Sequence, residues 1–430
     1  MTNDGESGGA STDGSGGPEA PAFPVPIDPA EKRIHFPGLN GLRFFAAFSV
    51  LLYHIEALKS FSQMPNWISI PVLHSLGPYG VVCFFSLSGF LITYLLLEES
   101  ARTGNIRVRR FYMRRILRIW PLYYLIVVLG FLILPLTADL LVHPQVVTKG
   151  DLLPKLALFL AFLPNLAWVT FGITPLAGPL WSVGVEEQFY LLWPVLLRGL
   201  RSHALLGIVA VIFVMVGLRF ALPRIAVALG SAGSDYSSWR IAINFLWTLK
   251  LECMAMGALA AYWLHGGFDR VLRVLYFPLT QLAALGLIFF SLWTNQNYQQ
   301  FDNVVWGSAF AVLIVNLAAN PRSLLKLENR PLDYLGKISF GIYVYHSFTI
   351  VGVLLFLRSW MPTQGLLFNG LLYSLVIALT IGLAALSHRY YESPFLRLKI
   401  RYMVVRSSGE AGEVGLGRGV SRKVRGREIR

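Results

Sequence analysis

The sequence predicts an all-α protein that passes through a membrane about ten times. Three observations predict it. Of 430 residues, 55% are hydrophobic and only 14% charged, about half the share that a soluble chain carries. The apolar residues come in blocks close to the roughly 20 residues that a helix needs to span the hydrocarbon core. Basic residues outnumber acidic ones 37 to 23, and they gather in alternate connections between the blocks, as cytoplasmic loops do. That excess therefore has a membrane explanation. No module of basic and aromatic residues interrupts the blocks, so no nucleic-acid partner is expected. Cys83 and Cys253 both sit in apolar blocks, which excludes a disulfide framework and a structural zinc site. No metal is expected.

Residues 1–35 are expected to form a disordered cytoplasmic tail. The first thirty are mostly Gly, Ser, Pro, Asp and Glu, without the basic and apolar regions of a cleaved signal. The first block, 40–58, follows Lys32 and Arg33 and reads as an uncleaved anchor. Block 78–97 comes next. The connection 99–115 holds Arg102, Arg107, Arg109, Arg110, Arg114 and Arg115 and is placed in the cytoplasm. Block 116–136 follows. Segment 153–170 is short and contains Pro154 and Pro164. If it crossed, every later basic connection would face outward. It is therefore read as an external re-entrant or interfacial piece. The remaining blocks, 181–198, 203–221, 242–264, 274–293, 302–319, 337–358 and 367–389, bring the count to ten. Both termini then lie in the cytoplasm, with the chain in the inner (plasma) membrane. Residues 36–398 form the membrane domain. Residues 399–430 form a basic disordered tail that meets anionic lipid.

Ionisable side chains inside a span cost roughly 2.5–3.5 kcal/mol each on insertion scales, so those present need partners or a wet cavity. Glu56 and Arg219 lie near span ends and have a structural reading. Arg43 and His54 are eleven residues apart. That spacing returns to within about 20° of one helix face after a rise of about 16 Å. One helix thus aligns a cation near the cytoplasmic side with an imidazole near the outer side. Arg115 and Arg118, spaced i,i+3, share a face and offer guanidinium forks suited to phosphate oxygens. In Trp181-Ser-Val-Gly-Val-Glu186-Glu187-Gln-Phe-Tyr190 the two carboxylates point about 100° apart. Counted from its helix end, Glu186 lies at a depth similar to that of His54, as a base and its orienting group would. The fourth stretch, Ile338-Ser-Phe-Gly-Ile-Tyr343-Val-Tyr345-His346, places His346 near mid-membrane with Tyr343 one turn below. Each of these has a bland alternative: positive-inside charge for the arginines, and helix–helix hydrogen bonding for Glu186 and the histidines.

These stretches together resemble the membrane-bound acyltransferase 3 family. The opening Gly38-Leu-Asn-Gly41-Leu42-Arg43 with His54 is similar to the family's first-helix signature, and Gly80-Val-Val-Cys-Phe-Phe-Ser-Leu-Ser88-Gly89-Phe90 to its second. Arg115-x-x-Arg118, Trp181–Tyr190, Tyr343/His346 and Tyr390-Tyr391-Glu392-Ser-Pro394-Phe395 follow in family order. One departure is Lys250-Leu-Glu252 where the family often has Arg-x-Asp. The resemblance implies transfer of an acyl group, acetyl by default, from cytoplasmic acyl-CoA to a hydroxyl. The acceptor would be a glycan, a glycolipid or an antibiotic. It implies that Arg43, Arg114, Arg115 and Arg118 hold the donor. His54 would act as general base with Glu186 orienting it, and Trp181, Tyr190, Tyr343, His346 and Ser88 would contact substrate. No soluble domain follows the spans in this sequence, so transfer is expected to finish within the membrane domain. The rival class is a transporter or flippase that uses the buried His, Glu and Arg as a proton or substrate path. The absence of an inverted repeat and of paired broken helices argues against it.

Overall fold

A computed structural model describes residues 34–133, 151–229 and 235–403. The expected tails, 1–35 and 399–430, fall almost wholly outside these residues. Every regular element described is helical. In chain order they are α1 (Leu39–Phe61), α2 (Pro71–Thr103), α3 (Val108–Ile133), α4 (Leu152–Leu160), α5 (Pro164–Phe171), α6 (Leu180–Gly199), α7 (Ala204–Ala228), α8 (Asp235–Thr248), α9 (Leu251–His265), α10 (Asp269–Tyr276), α11 (Pro278–Thr294), α12 (Asp302–Ala319), α13 (Arg330–Lys337), α14 (Ser339–Arg358), α15 (Leu366–Ser387) and α16 (Ser393–Lys399). A π turn, His388–Glu392, joins the last two, and three 3₁₀ turns complete the set.

Among the described residues eight helices are long and apolar enough to cross a membrane. The pair α10–α11, bent by 58° at Phe277, makes a ninth. The tenth predicted block is the 20-residue α6, whose run Glu186-Glu187-Gln188 makes it less apolar than the others. Among the described residues each of the ten predicted blocks is thus helical, while eight or nine of them qualify as spans, so the count of ten is approximate. Segment 153–170 becomes α4 and α5, nine and eight residues long, each too short to cross. The segment folds inward. Phe159 O accepts from Tyr123 Oη at 2.7 Å, Phe162 O accepts from Gln188 Nε2 at 3.1 Å, and the Phe162 ring stacks on Tyr123. The following turn is buried at Leu176 and Ala177.

The core forms where backbones approach closely. A side chain at Gly89 of α2 would run into the Met254 carbonyl of α9, and one at Gly257 of α9 into the Ser86 carbonyl of α2. The two glycines let these helices touch backbone to backbone, as small residues do within membranes. α1 and α12 pack beside this pair, and α14 packs on α1. Buried charges are matched. Arg219 and Glu252 form an ion pair at 2.7 Å, with Asn303 Nδ2 donating to Glu252 at 3.0 Å and Lys250 Nζ donating to Asn303 at 3.1 Å. Glu56 accepts from Lys59, Tyr373 Oη and the Trp67 N–H. These partners fit the structural reading of Glu56 and Arg219. They also show how Lys250-Leu-Glu252 is used. Lys250 sits at φ 33, in the left-handed region, and breaks α8 from α9. Leu132, Phe213, Phe289 and Trp293 face outward, where acyl chains would lie.

Candidate active site

An open cavity, with about 660 Å³ of empty space that includes solvent at its mouth, lies between α1, α2, α3, α6 and α14. Its lining includes Arg43 from α1, Ser88 from α2, Arg115 and Arg118 from α3, Glu186 and Tyr190 from α6, and Tyr343 from α14. Each helix places its residue by register. Arg115 and Arg118 share a face of α3, and Glu186 and Tyr190 sit one turn apart on α6. Of the residues expected to act at a site, seven thus meet at one cavity although they lie up to 300 residues apart in sequence.

The cavity is strongly polarised. Glu186 accepts from Ser88 Oγ at 2.7 Å and from Tyr190 Oη at 3.3 Å, and it interacts electrostatically with Arg43 and Arg115. The Arg115 guanidinium lies over the rings of Phe111 and Tyr190, 5.5 Å from each centroid. Three guanidiniums face one carboxylate, so the cavity carries net positive charge. Such a surface suits an anion with several oxygens.

Arg114 lies elsewhere. It pairs with the buried Glu99 at 3.0 Å and donates to the Tyr402 carbonyl at 3.0 Å. It clamps α3 to α2 and to the end of the described chain. Glu187 also points away and accepts from Trp120 Nε1 at 3.2 Å, as the 100° divergence from Glu186 requires. Trp181 packs beside the cavity rather than in its lining, 5.3 Å from the Trp168 ring and 6.2 Å from Phe85.

Glu186 and His54 do not meet. Along α2, the Tyr53 ring packs at Gly77 whereas Glu186 bonds Ser88. Those eleven residues amount to about 16 Å of rise. The expected equal depth presumed that α6 starts at the membrane surface. It starts inside the protein instead. Leu180 is buried, and the Pro179 carbonyl before it accepts from Tyr343 Oη at 3.1 Å. Glu186 therefore joins the arginines.

The neighbour of His54 is His346, with ring centroids 4.7 Å apart. His54 Nδ1 lies 2.9 Å from the Val50 carbonyl. A carbonyl only accepts, so Nδ1 carries the hydrogen and Nε2 presents a lone pair. Tyr343 connects the two regions. It lines the cavity, bonds Ser182 Oγ at 2.6 Å, and its ring lies 5.9 Å from that of His346.

The residue signals leave out Ser182 and Phe84, both in the cavity lining. Each lies four residues before a residue that was singled out, Glu186 and Ser88, and so on the same helix face. The i,i+4 rule alone would have found them. Nothing local in sequence pairs His54 with a residue 292 positions away. Among the described residues no group of three or more potential metal ligands occurs.

Three comparisons bear on this arrangement. A model of the acyltransferase domain in the acyltransferase 3 family matches residues 36–389. The chain is 28% identical over 400 residues to a protein of Staphylococcus aureus MRSA252 named "Putative O-acetyltransferase SAR0937", covering 88% of this chain and 60% of that one. It is also 28% identical over 380 residues to the O-acetyltransferase OatA of S. aureus NCTC 8325, covering 84% and 57%. The chain thus spans about three fifths of the length of these relatives. No solved structure matches.

Proposed function

Because this chain belongs to the acyltransferase 3 family, with the match running over residues 36–389, we propose that it moves an acetyl group from cytoplasmic acetyl-CoA to a hydroxyl of a carbohydrate-type acceptor. The cavity's three guanidiniums, drawn from two helices, are the observation that carries this reading. CoA is a thin chain with a polyphosphate head. Arg115 and Arg118 would hold its phosphates, and Arg43 would meet the arm as it enters. Ser88, Glu186 and Tyr190 would keep the guanidiniums apart and oriented. Arg114 has a structural use in place of the donor-binding role expected of it, and Glu186 serves the arginines rather than the imidazole.

His54 is the base in this reading. Its Nε2 lone pair takes the proton of the acceptor hydroxyl as the oxygen attacks the thioester carbon. The C–S bond then breaks, and His54 returns the proton to the departing thiolate. The Val50 carbonyl supports the Nδ1–H throughout, the part a carboxylate plays in other histidine sites. The acceptor would be a glycan, glycolipid or antibiotic, with both chain termini on the cytoplasmic side of the inner membrane and the basic tail on anionic lipid. The names of the relatives support acetyl as the group and oxygen as its destination.

The test is direct. Membranes containing the protein, supplied with acetyl-labelled acetyl-CoA, should release CoA and carry label into non-CoA material. An Arg115→Ala/Arg118→Ala double variant should do neither at low donor concentration. Equal incorporation by membranes with and without the protein would refute the reading.

A further inference from the structure

His346 is fully buried, and neither of its ring nitrogens has a hydrogen-bond partner among the described residues. The nearby carbonyls of Ile342 and Tyr343 lie on its own helical turn, and neither meets hydrogen-bond geometry with the ring. Buried polar groups are almost always satisfied, and an exception calls for an explanation such as catalysis. A neutral imidazole always presents one N–H, so an unspent donor is buried here. Its position is specific. Tyr343 borders the cavity, the His346 ring lies 5.9 Å from the Tyr343 ring, and the His54 ring lies 4.7 Å from that of His346, centroid to centroid. A thioester that reaches His54 from the cavity therefore comes beside the His346 ring as well.

The geometry points to His346 as the electrophilic partner of His54: its N–H donates to the thioester carbonyl oxygen and holds the negative charge that develops there. This rests on the reading of the cavity as the donor site and of His54 as the base. The step balances as an ordinary acyl transfer. The acceptor oxygen bonds to the carbonyl carbon while its proton goes to His54 Nε2. The carbonyl oxygen becomes an oxyanion held by His346 N–H. Collapse re-forms C=O, breaks C–S and sends the proton from His54 to sulfur. His346 stays neutral and keeps its proton. A donor fixed before the reaction, in a dry site, costs no reorganisation when charge develops.

The experiment uses the full chain in membranes, labelled acetyl-CoA as donor and the membranes' own acceptor, with rates normalised to protein. His346→Phe keeps an aromatic ring against His54 and removes the donor. It should lower the maximal rate by about 10²–10³-fold and leave the KM for acetyl-CoA within about twofold of wild type. His346→Gln, which restores an N–H, should recover at least about tenfold over Phe. His346→Leu supplies the same reading if the Phe variant accumulates poorly. A Phe or Leu variant that turns over like wild type overturns the proposal while leaving the donor and base assignments standing. So does one that changes only KM. A wild-type protein that transfers nothing from acetyl-CoA overturns the function reading, and this one with it.

Discussion

His54 owes its usable form to one carbonyl. Because Val50 O takes the Nδ1 proton, the lone pair stands at Nε2 without any carboxylate. His54→Ala should therefore lower transfer about 10²–10⁴-fold while acetyl-CoA binding, followed by calorimetry on the solubilised protein, stays near wild type. The arginines divide differently. Arg115→Ala and Arg118→Ala should each weaken donor binding by about 1.5–3 kcal/mol, and Lys at either position should recover only part, since a point charge lacks the planar fork. Arg114→Ala should leave donor affinity alone and lower stability by up to about 3 kcal/mol, because it leaves the buried Glu99 without its cation and with only the Arg107 N–H. Normal thermal stability in that variant would contradict the clamp. This contrast marks how far the sequence can be read at a single residue. The i,i+3 spacing shows that Arg115 and Arg118 share a face. It does not show that Glu99, fifteen residues upstream, has already claimed Arg114. Nor does anything local show that His346 faces His54, because that contact exists only once two helices cross.

At the scale of the element, apolar blocks translate into helices almost one for one, because block length and composition are what decide a passage through lipid. Depth is less legible. It depends on where the preceding chain leaves each helix, and α6 begins inside the protein because α4, α5 and the turn after them fold inward. That misplaced Glu186 by about 16 Å of helix rise. Helix contact is set instead by small residues. Gly89→Ala should push a methyl group into the Met254 carbonyl, and Gly257→Ala one into the Ser86 carbonyl. Each should lower stability by about 1–3 kcal/mol, read as a lower midpoint in a thermal scan of the detergent-solubilised protein. An unchanged midpoint for both would mean that α2 and α9 separate more easily than their packing implies. The Arg219–Glu252 pair gives a complementary expectation. Glu252→Ala should cost about 3–5 kcal/mol by leaving a buried guanidinium alone. Replacing both partners with Met should restore much of that loss.

For the whole molecule, the alternation of basic connections predicts sidedness. A reporter fused after Leu398 should be cytoplasmic and one inserted at Asn297 external. Both on one side would break the ten-passage order. Within that order α1 holds a special place. α2, α3, α6 and α7 each carry an internal proline, at Pro78, Pro121, Pro194 and Pro223, whereas α1 has neither proline nor glycine between Arg43 and His54. Helices bend at such residues, and α1 lacks them over the three turns that separate its cation from its imidazole. It is therefore a ruler. On the roles proposed for Arg43 and His54, the interval between the residue that meets the donor's arm and the base would stay near three turns, and the travelling would be left to the substrate. One residue inserted between the two would swing His54 by about 100° off the line, whereas four would nearly restore the face but add about 6 Å. A donor whose arm is too short for that interval would bind at the arginines and never react.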